Sequence, residues 1–298
     1  MDGFALLAFY FLLGIAVSRL KMLKPGDFHP LAQFVFYVCL PAAILTHIPS
    51  PGFSIDIASI ILLVSLPIIV VGIAISALYF AGKLSAGSYG AILMASLFGN
   101  IVYLGIPISQ EYFPGTIDIM SFLIIITNIL IFGLVMPAIQ IVHGKGLEFG
   151  KMAVKMASNP VLVSAAIAVI MLSFGLETSW LASMLSPLAS MTVPLSLVAM
   201  GMFAAQDMKL SFGKDVWAIL LFKHIALPAV TAVCIFILSP GKVLSDLVMI
   251  SAVMSPAVAN FSVVDTLKIE RRKEVSSAII IGILIMLVEV WLLFGFRW

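Results

Sequence analysis

The chain has 298 residues, of which 62% are hydrophobic and 10% charged, with a formal net charge of +2 and a mean hydropathy of +1.22. Soluble domains carry about 25% charged residues, so this composition excludes a cytosolic enzyme, a disordered chain and a secreted disulfide scaffold, and the small net charge gives no basis for binding nucleic acid. An all-α polytopic membrane protein remains: a spanning helix takes about 20 apolar residues, so ten such helices leave about 100 residues for connections and no room for a soluble domain.

Met1-Asp2-Gly3 has no basic residue ahead of the first apolar run, and Arg19, Lys21 and Lys24 follow it. That is the reverse of a cleaved signal peptide, so the run is read as a membrane helix. The predicted spans are, in order, Phe4–Leu20, Pro30–Ile48, Ile55–Phe80, Ser88–Phe113 and Ile117–Val142. A polar stretch, His143–Ser158, follows. The remaining spans are Asn159–Gly175, Met184–Ala205, Val216–Leu238, Leu244–Leu267 and Val275–Phe294.

Basic residues set the orientation, because cytoplasmic loops are enriched in Lys and Arg. The odd-numbered connections hold Arg19, Lys21, Lys24, Lys83, Lys145, Lys151, Lys155, Lys209, Lys214, Lys268, Arg271, Arg272 and Lys273, thirteen of the sixteen basic residues. The even-numbered connections and termini hold only Lys242 and Arg297. Odd connections therefore face the cytoplasm and both termini face outward. The long polar connection divides the chain into two sets of five helices, residues 1–142 and 159–298, with 143–158 as a cytoplasmic linker. Five is odd, so the second set is inverted relative to the first. Val38-Cys39-Leu40-Pro41 in the second span and Met191-Thr192-Val193-Pro194 in the seventh support an internal repeat. Such repeats are a recurrent transporter architecture with the substrate site near the midplane.

Two spans are interrupted. The fourth contains Gly99-Asn100-Ile101-Val102-Tyr103-Leu104-Gly105-Ile106-Pro107, and the ninth contains Ser255-Pro256-Ala257-Val258-Ala259-Asn260. Pro107 and Pro256 are separated by nearly the repeat offset, and matched interruptions point to a transporter binding site. Harmless kinks are the bland reading. The polar Asn100 and Asn260 at both breaks favour a site, since an asparagine facing lipid is costly.

Lys223, followed by His224, lies inside the eighth span. It either snorkels or forms a structural ion pair, or it serves substrate or a proton. Glu289 in the tenth span has polar packing and a proton-linked role as its two readings. Asp265 ends the ninth span beside four basic residues, where interfacial solvation accounts for it. Asp56, Glu111, Glu177 and Asp246 lie at outer helix ends and are expected to be wet. Leu147–Met156 reads equally as an amphipathic helix on the inner leaflet or as a plain linker. Cys39 and Cys234 fit helix packing. No metal site, cofactor motif or enzyme signature is present: there is no His-Glu-x-x-His, Gly-x-Ser-x-Gly, phosphate-binding glycine loop or Cys-x-x-Cys.

The Asn100–Pro107 segment resembles the Asn-x-x-x-x-Gly-[Ile/Leu]-Pro motif of the auxin efflux carrier family. Asn159-Pro160 is similar to that family's start of the sixth helix, Pro194-Leu195-Ser196-Leu197 followed by Gly201 to its seventh-helix pattern, and Ser255-Pro256 to its ninth-helix proline. The resemblance covers essentially the whole chain. It implies ten transmembrane helices in two inverted five-helix repeats, with the fourth and ninth broken and crossing. It also implies an elevator-like movement of a transport bundle against a scaffold of helices 1, 2, 6 and 7. The expected cargo is a small organic anion, a carboxylate, carried across the inner membrane, with contact near Asn100. Half-helix N-termini at the breaks are expected to offer free N–H groups to that carboxylate. The expected substrate-binding residues are Asn100, Tyr103, Gly105, Pro107, Ser255, Pro256, Asn260, Pro194, Ser196 and Lys223, with no cofactor. Beyond the lipid bilayer, proton coupling and a homodimer stand open as partners. A sodium-coupled carrier of the bile-acid type and a non-transporting membrane receptor are the alternatives.

Overall fold

The computed structural model describes residues 3–23, 27–46, 57–144, 146–147, 149–176, 178–205, 210–258, 260 and 271–294. Lys24, Asp56, Lys145, Glu177, Lys209, Phe261, Asp265, Lys268 and Arg297 lie outside the described residues. Among the described residues the chain is helical, apart from turns and one isolated antiparallel bridge between Gly99 and Pro256. The helices are α1 (Gly3–Arg19), α2 (Phe28–Thr46), α3 (Ile57–Phe80), α4 (Ala86–Leu97), α5 (101–112), α6 (Ile117–Val142), α7 (Phe149–Ala157), α8 (Pro160–Ser173), α9 (Ser179–Ala204), α10 (Lys214–Leu238), α11 (Lys242–Val253) and α12 (Arg272–Phe294). By length and composition α2, α3, α6, α9, α10 and α12 can each cross a membrane, and α1 and α4 are shorter apolar helices. Their outward faces are apolar: Phe236 is 84% exposed and Phe80 81%, a surface that suits lipid rather than water. The chain is a multi-pass membrane protein.

Proline positions explain much of the local geometry. Among the described residues four helices contain a π turn: Val35–Cys39, Ile101–Gly105, Ile131–Val135 and Phe222–Ala226. Each ends two residues before a proline, namely Pro41, Pro107, Pro137 and Pro228. Proline has no N–H to donate to the carbonyl four residues back. That carbonyl belongs to Tyr37, Tyr103, Gly133 and His224 respectively, the central residue of each turn. The ladder slips by one residue upstream of the proline, which keeps the backbone satisfied where no water is at hand. Pro67 and Pro187 sit inside helices without such a turn, so the proline permits the slip without dictating it.

Two points differ from the sequence reading. Helix α9 begins at Ser179 rather than Met184, with Thr178 as its N-cap and Ser179-Trp180 in its first turn. The stretch that read equally as helix or linker contains a helix, α7, built on its apolar-basic alternation.

Residue contacts gather the chain into two compact units. Unit 1 takes Met1–Ile55, Val102–Ile125 and Val154–Asp207, and unit 2 takes Asp56–Ile101, Ile126–Ala153 and Met208–Trp298. In unit 1, α1 lies along the second half of α9, and α8 and the first half of α9 cover the second half of α2. Gly14 and Gly201 let the first of these pairs meet backbone to backbone: a Cβ on Gly14 would collide with the Val198 carbonyl, and one on Gly201 with the Phe11 carbonyl. Phe28 and Phe203 stack edge to face at 5.2 Å in the same unit.

In unit 2, α3 packs on α4 and on the second half of α10, and α12 packs on the first half of α10. Ser76 Oγ and Tyr89 Oη, 3.1 Å apart, link α3 to α4. The N-terminal ends of α4, α10 and α12 are tied at Asp215, whose Oδ2 accepts from Ser88 Oγ at 2.8 Å and pairs with Arg271 Nε at 2.8 Å. Asp246 departs from expectation. It is 8% exposed rather than wet, because α11 is enclosed by α10 and α12.

Candidate functional site

Within unit 2 the two interrupted segments meet. Helix α4 stops at Leu97 and α11 at Val253, and extended backbone follows each. These short stretches pair antiparallel: the Asn100 N–H donates to the Ser255 carbonyl at 2.8 Å, and the Ala257 N–H to the Phe98 carbonyl at 3.0 Å. Asn260 Nδ2 donates to the same Phe98 carbonyl at 3.1 Å. Glycine at 99 and proline at 256 suit this junction. Neither carries a helix well, and glycine admits close approach.

The junction departs from expectation in its backbone donors. The half-helix starts were expected to present free N–H groups, yet those of Asn100 and Ala257 are consumed by the bridge. The Ile101 N–H donates to the Gly99 carbonyl at 2.9 Å, and the Asn260 N–H to the Ala257 carbonyl at 3.0 Å. Paired backbone is cheaper than orphaned backbone in a buried place, and the two breaks satisfy one another.

The free donor is instead a side chain. Lys223 lies in the π turn of α10, is 0% exposed, and its Nζ has no hydrogen-bond partner. A Cβ on Gly99 would come 2.9 Å from that Nζ, so the amino group rests directly on the glycine of the bridge. It does not snorkel. Ser255, also 0% exposed, leaves its Oγ without a partner beside the same bridge. Asn100 and Asn260 are 2% and 1% exposed. Five of the expected site residues, Asn100, Lys223, Ser255, Pro256 and Asn260, are therefore brought together in unit 2.

The other five belong to unit 1. Tyr103 donates its hydroxyl to the Ala32 carbonyl at 3.1 Å, a bond between α5 and α2. Gly105 and Pro107 are buried where the π turn of α5 gives way to regular helix. Pro194 is half-buried, and Ser196 turns its hydroxyl back to the Thr192 carbonyl within α9. Of these five, Tyr103 bonds between helices and Ser196 within its own helix, both inside unit 1.

Beyond these ten residues, the junction includes a histidine and a glutamate that the sequence names without connecting. His224 Nδ1 lies 2.8 Å from Glu289 Oε2 on α12. No spacing rule links positions so far apart, and the only signal was that both are polar in apolar spans. Gly282 allows the approach: a Cβ there would fall 2.7 Å from Pro256 Cδ and 3.0 Å from His224 Nε2.

The family model described as membrane transport protein matches the chain over residues 5–294. No curated protein matches it.

Proposed function

The chain belongs to the membrane transport protein family, the auxin efflux carrier family of membrane transporters, and from that premise we propose that it carries a small organic anion, a carboxylate, bound at the junction of its two interrupted segments. The observation that carries this is the Lys223 ammonium, fully buried on Gly99 without a hydrogen-bond partner. A buried charge without an acceptor costs several kcal/mol. A carboxylate seated at the bridge removes that cost, and the unpartnered Ser255 hydroxyl is placed to share it. Tyr103, Gly105, Pro107, Pro194 and Ser196 act by shaping helices in unit 1.

The movement proposed is elevator-like. It is supported by the division of the chain: α1, α2, α8 and α9, which correspond to the scaffold helices 1, 2, 6 and 7, fall together in unit 1, joined there by α5 beyond Ile101, while α3, α10 and α12 fall in unit 2. Two inverted five-helix repeats, 1–142 and 159–298, remain the proposed organisation, supported by the matched interruptions and the loop charges. The placement is an inner membrane with both termini outside. An impermeant thiol reagent applied to intact cells, after Cys39 and Cys234 are replaced, is expected to label a cysteine at Trp180 and to spare one at Lys151. Labelling of both removes the inverted repeat.

The test of function is a carboxylate panel in proteoliposomes, with lactate, succinate, citrate and benzoate under imposed potential, pH and sodium gradients. Flux of at least one member is expected without sodium. A strict sodium requirement favours the bile-acid type of symporter, and binding without flux favours a receptor. Asn100→Ala is expected to reach the membrane and bind its best carboxylate about 10- to 150-fold more weakly, the loss of one charge-assisted hydrogen bond. Unchanged affinity moves the anion away from the junction.

A further inference from the structure

We propose that His224 is a proton-binding site linked to the carried anion, so that one proton accompanies each monocarboxylate bound; this rests on the anion-site assignment above. The imidazole is 7% exposed. With Glu289 ionised, the Nδ1–H donates to the carboxylate at 2.8 Å, and Nε2 is left carrying a lone pair. That Nε2 is buried and has no hydrogen-bond partner. It lies against Gly282, the residue that also meets the Pro256 ring, and Pro256 is the bridge partner of Gly99, on which Lys223 Nζ rests. The two basic side chains, adjacent in sequence, thus reach the two halves of one bridge.

The chemistry follows from charge. Take an empty site with a Lys223 cation, a Glu289 anion and an uncharged imidazole: these charges sum to zero. A carboxylate entering alone leaves a net negative charge in a low-dielectric place, where it is expensive. If a proton from water adds to Nε2, the imidazolium gains an Nε2–H that donates to the anion, and its Nδ1–H stays on Glu289. The loaded site is then neutral, as the empty one is. Anion and proton favour one another at binding, and the coupling is reciprocal.

Among the described residues, several other ionisable groups on the surrounding helices are placed or engaged elsewhere. On α11, Lys242 and Asp246 lie in the first two turns, with Asp246 about 10 Å along the axis from the broken end. On α4, Tyr89 Oη sits 3.1 Å from Ser76 Oγ. Asp215, at the start of α10, is held by Ser88 and Arg271, and Glu274 of α12 lies 4.0 Å from that Arg271. Glu289 is the carboxylate in hydrogen-bond contact with the imidazole.

The test measures equilibrium binding of radiolabelled lactate and benzoate, both monoanions from pH 5.5 to 8.5, to the whole protein in lipid nanodiscs. In the unmodified protein Kd is expected to rise about tenfold per pH unit across the upper part of this range, the mark of one linked proton. In His224→Gln, whose amide keeps a donor toward Glu289, binding is expected to persist at the weak, high-pH level without a slope. Uptake of one proton per anion bound, read with an indicator dye in weak buffer, should be present in the unmodified protein and absent in the variant. Binding with no slope in the unmodified protein, or a slope retained in His224→Gln, overturns the proton link and leaves the anion site standing. Absence of binding by either probe at every pH overturns the anion site and the link together.

Discussion

Lys223→Met is expected to abolish carboxylate flux in proteoliposomes while leaving the protein no less stable to heat in detergent than the unmodified chain. The two outcomes come from one cause. A fully buried ammonium without an acceptor is a burden on the empty protein, and replacing buried charge by well-packed apolar atoms is often neutral or stabilising. Methionine supplies those atoms with a flexible chain of similar reach. The same change withdraws the charge that holds the anion, a loss of about 1.5–3 kcal/mol or roughly 10- to 150-fold in affinity. Lys223→Arg keeps the charge but must set a larger head against Gly99, so its flux should fall between the two. Normal flux in Lys223→Met would remove this residue from the site. A sharp loss of stability with loss of flux would mean that the ammonium holds the fold and not the cargo.

Gly201→Val is expected to prevent recovery of a monodisperse protein, and Gly201→Ala to cost about 1–3 kcal/mol as overpacking does. Neighbours decide this. A Cβ on Gly201 meets the carbonyl of Phe11, then Gly14 Cα and Ile15 N at 3.0 Å each, all backbone. A side chain can rotate away from such an intruder, but the spine of α1 cannot. Without a hydrophobic drive between helices in lipid, close backbone packing at small residues is what holds them. Gly87 is the control. It lies in α4 with nothing within 4 Å of its would-be Cβ, so Gly87→Ala should leave the protein unchanged or stabilise it by up to about 1 kcal/mol through helix propensity. Size-exclusion profiles and thermal unfolding of the three variants would decide, and an undisturbed Gly201→Val would mean that α1 and α9 do not depend on this contact.

Six predicted spans, the second, third, fifth, seventh, eighth and tenth, correspond to helices able to cross a membrane, because an apolar run of about 20 residues is a signal written in contiguous positions. The two interruptions were equally legible, since Gly99 and Pro256 are poor helix residues wherever they stand. The four slipped turns were half legible: Pro41, Pro107, Pro137 and Pro228 can be seen, but Pro67 and Pro187 look the same and do nothing similar. What the breaks do with their backbone was not legible. Mutual pairing of Asn100 with Ser255 and of Ala257 with Phe98 depends on two segments meeting, and no local pattern encodes it. For the same reason the bond from the Tyr103 hydroxyl to α2 could not be read, and His224 and Glu289 read as separate polar residues rather than as a pair.

The contact of α1 with the end of α9 also sets a schedule for assembly. Helix α1 is complete at Arg19, but its partner strip ends at Ala204. At 5–20 residues per second a ribosome takes about 10–40 s to cover that interval. Through this time the first helix has already left the ribosome while its mate does not yet exist. Hydrogen-bonding side chains along that strip would be stranded in lipid or would find wrong partners while they waited. Gly14 offers neither hazard: it leaves a smooth notch that lipid can fill and surrender, and that only another glycine-bearing helix can later close.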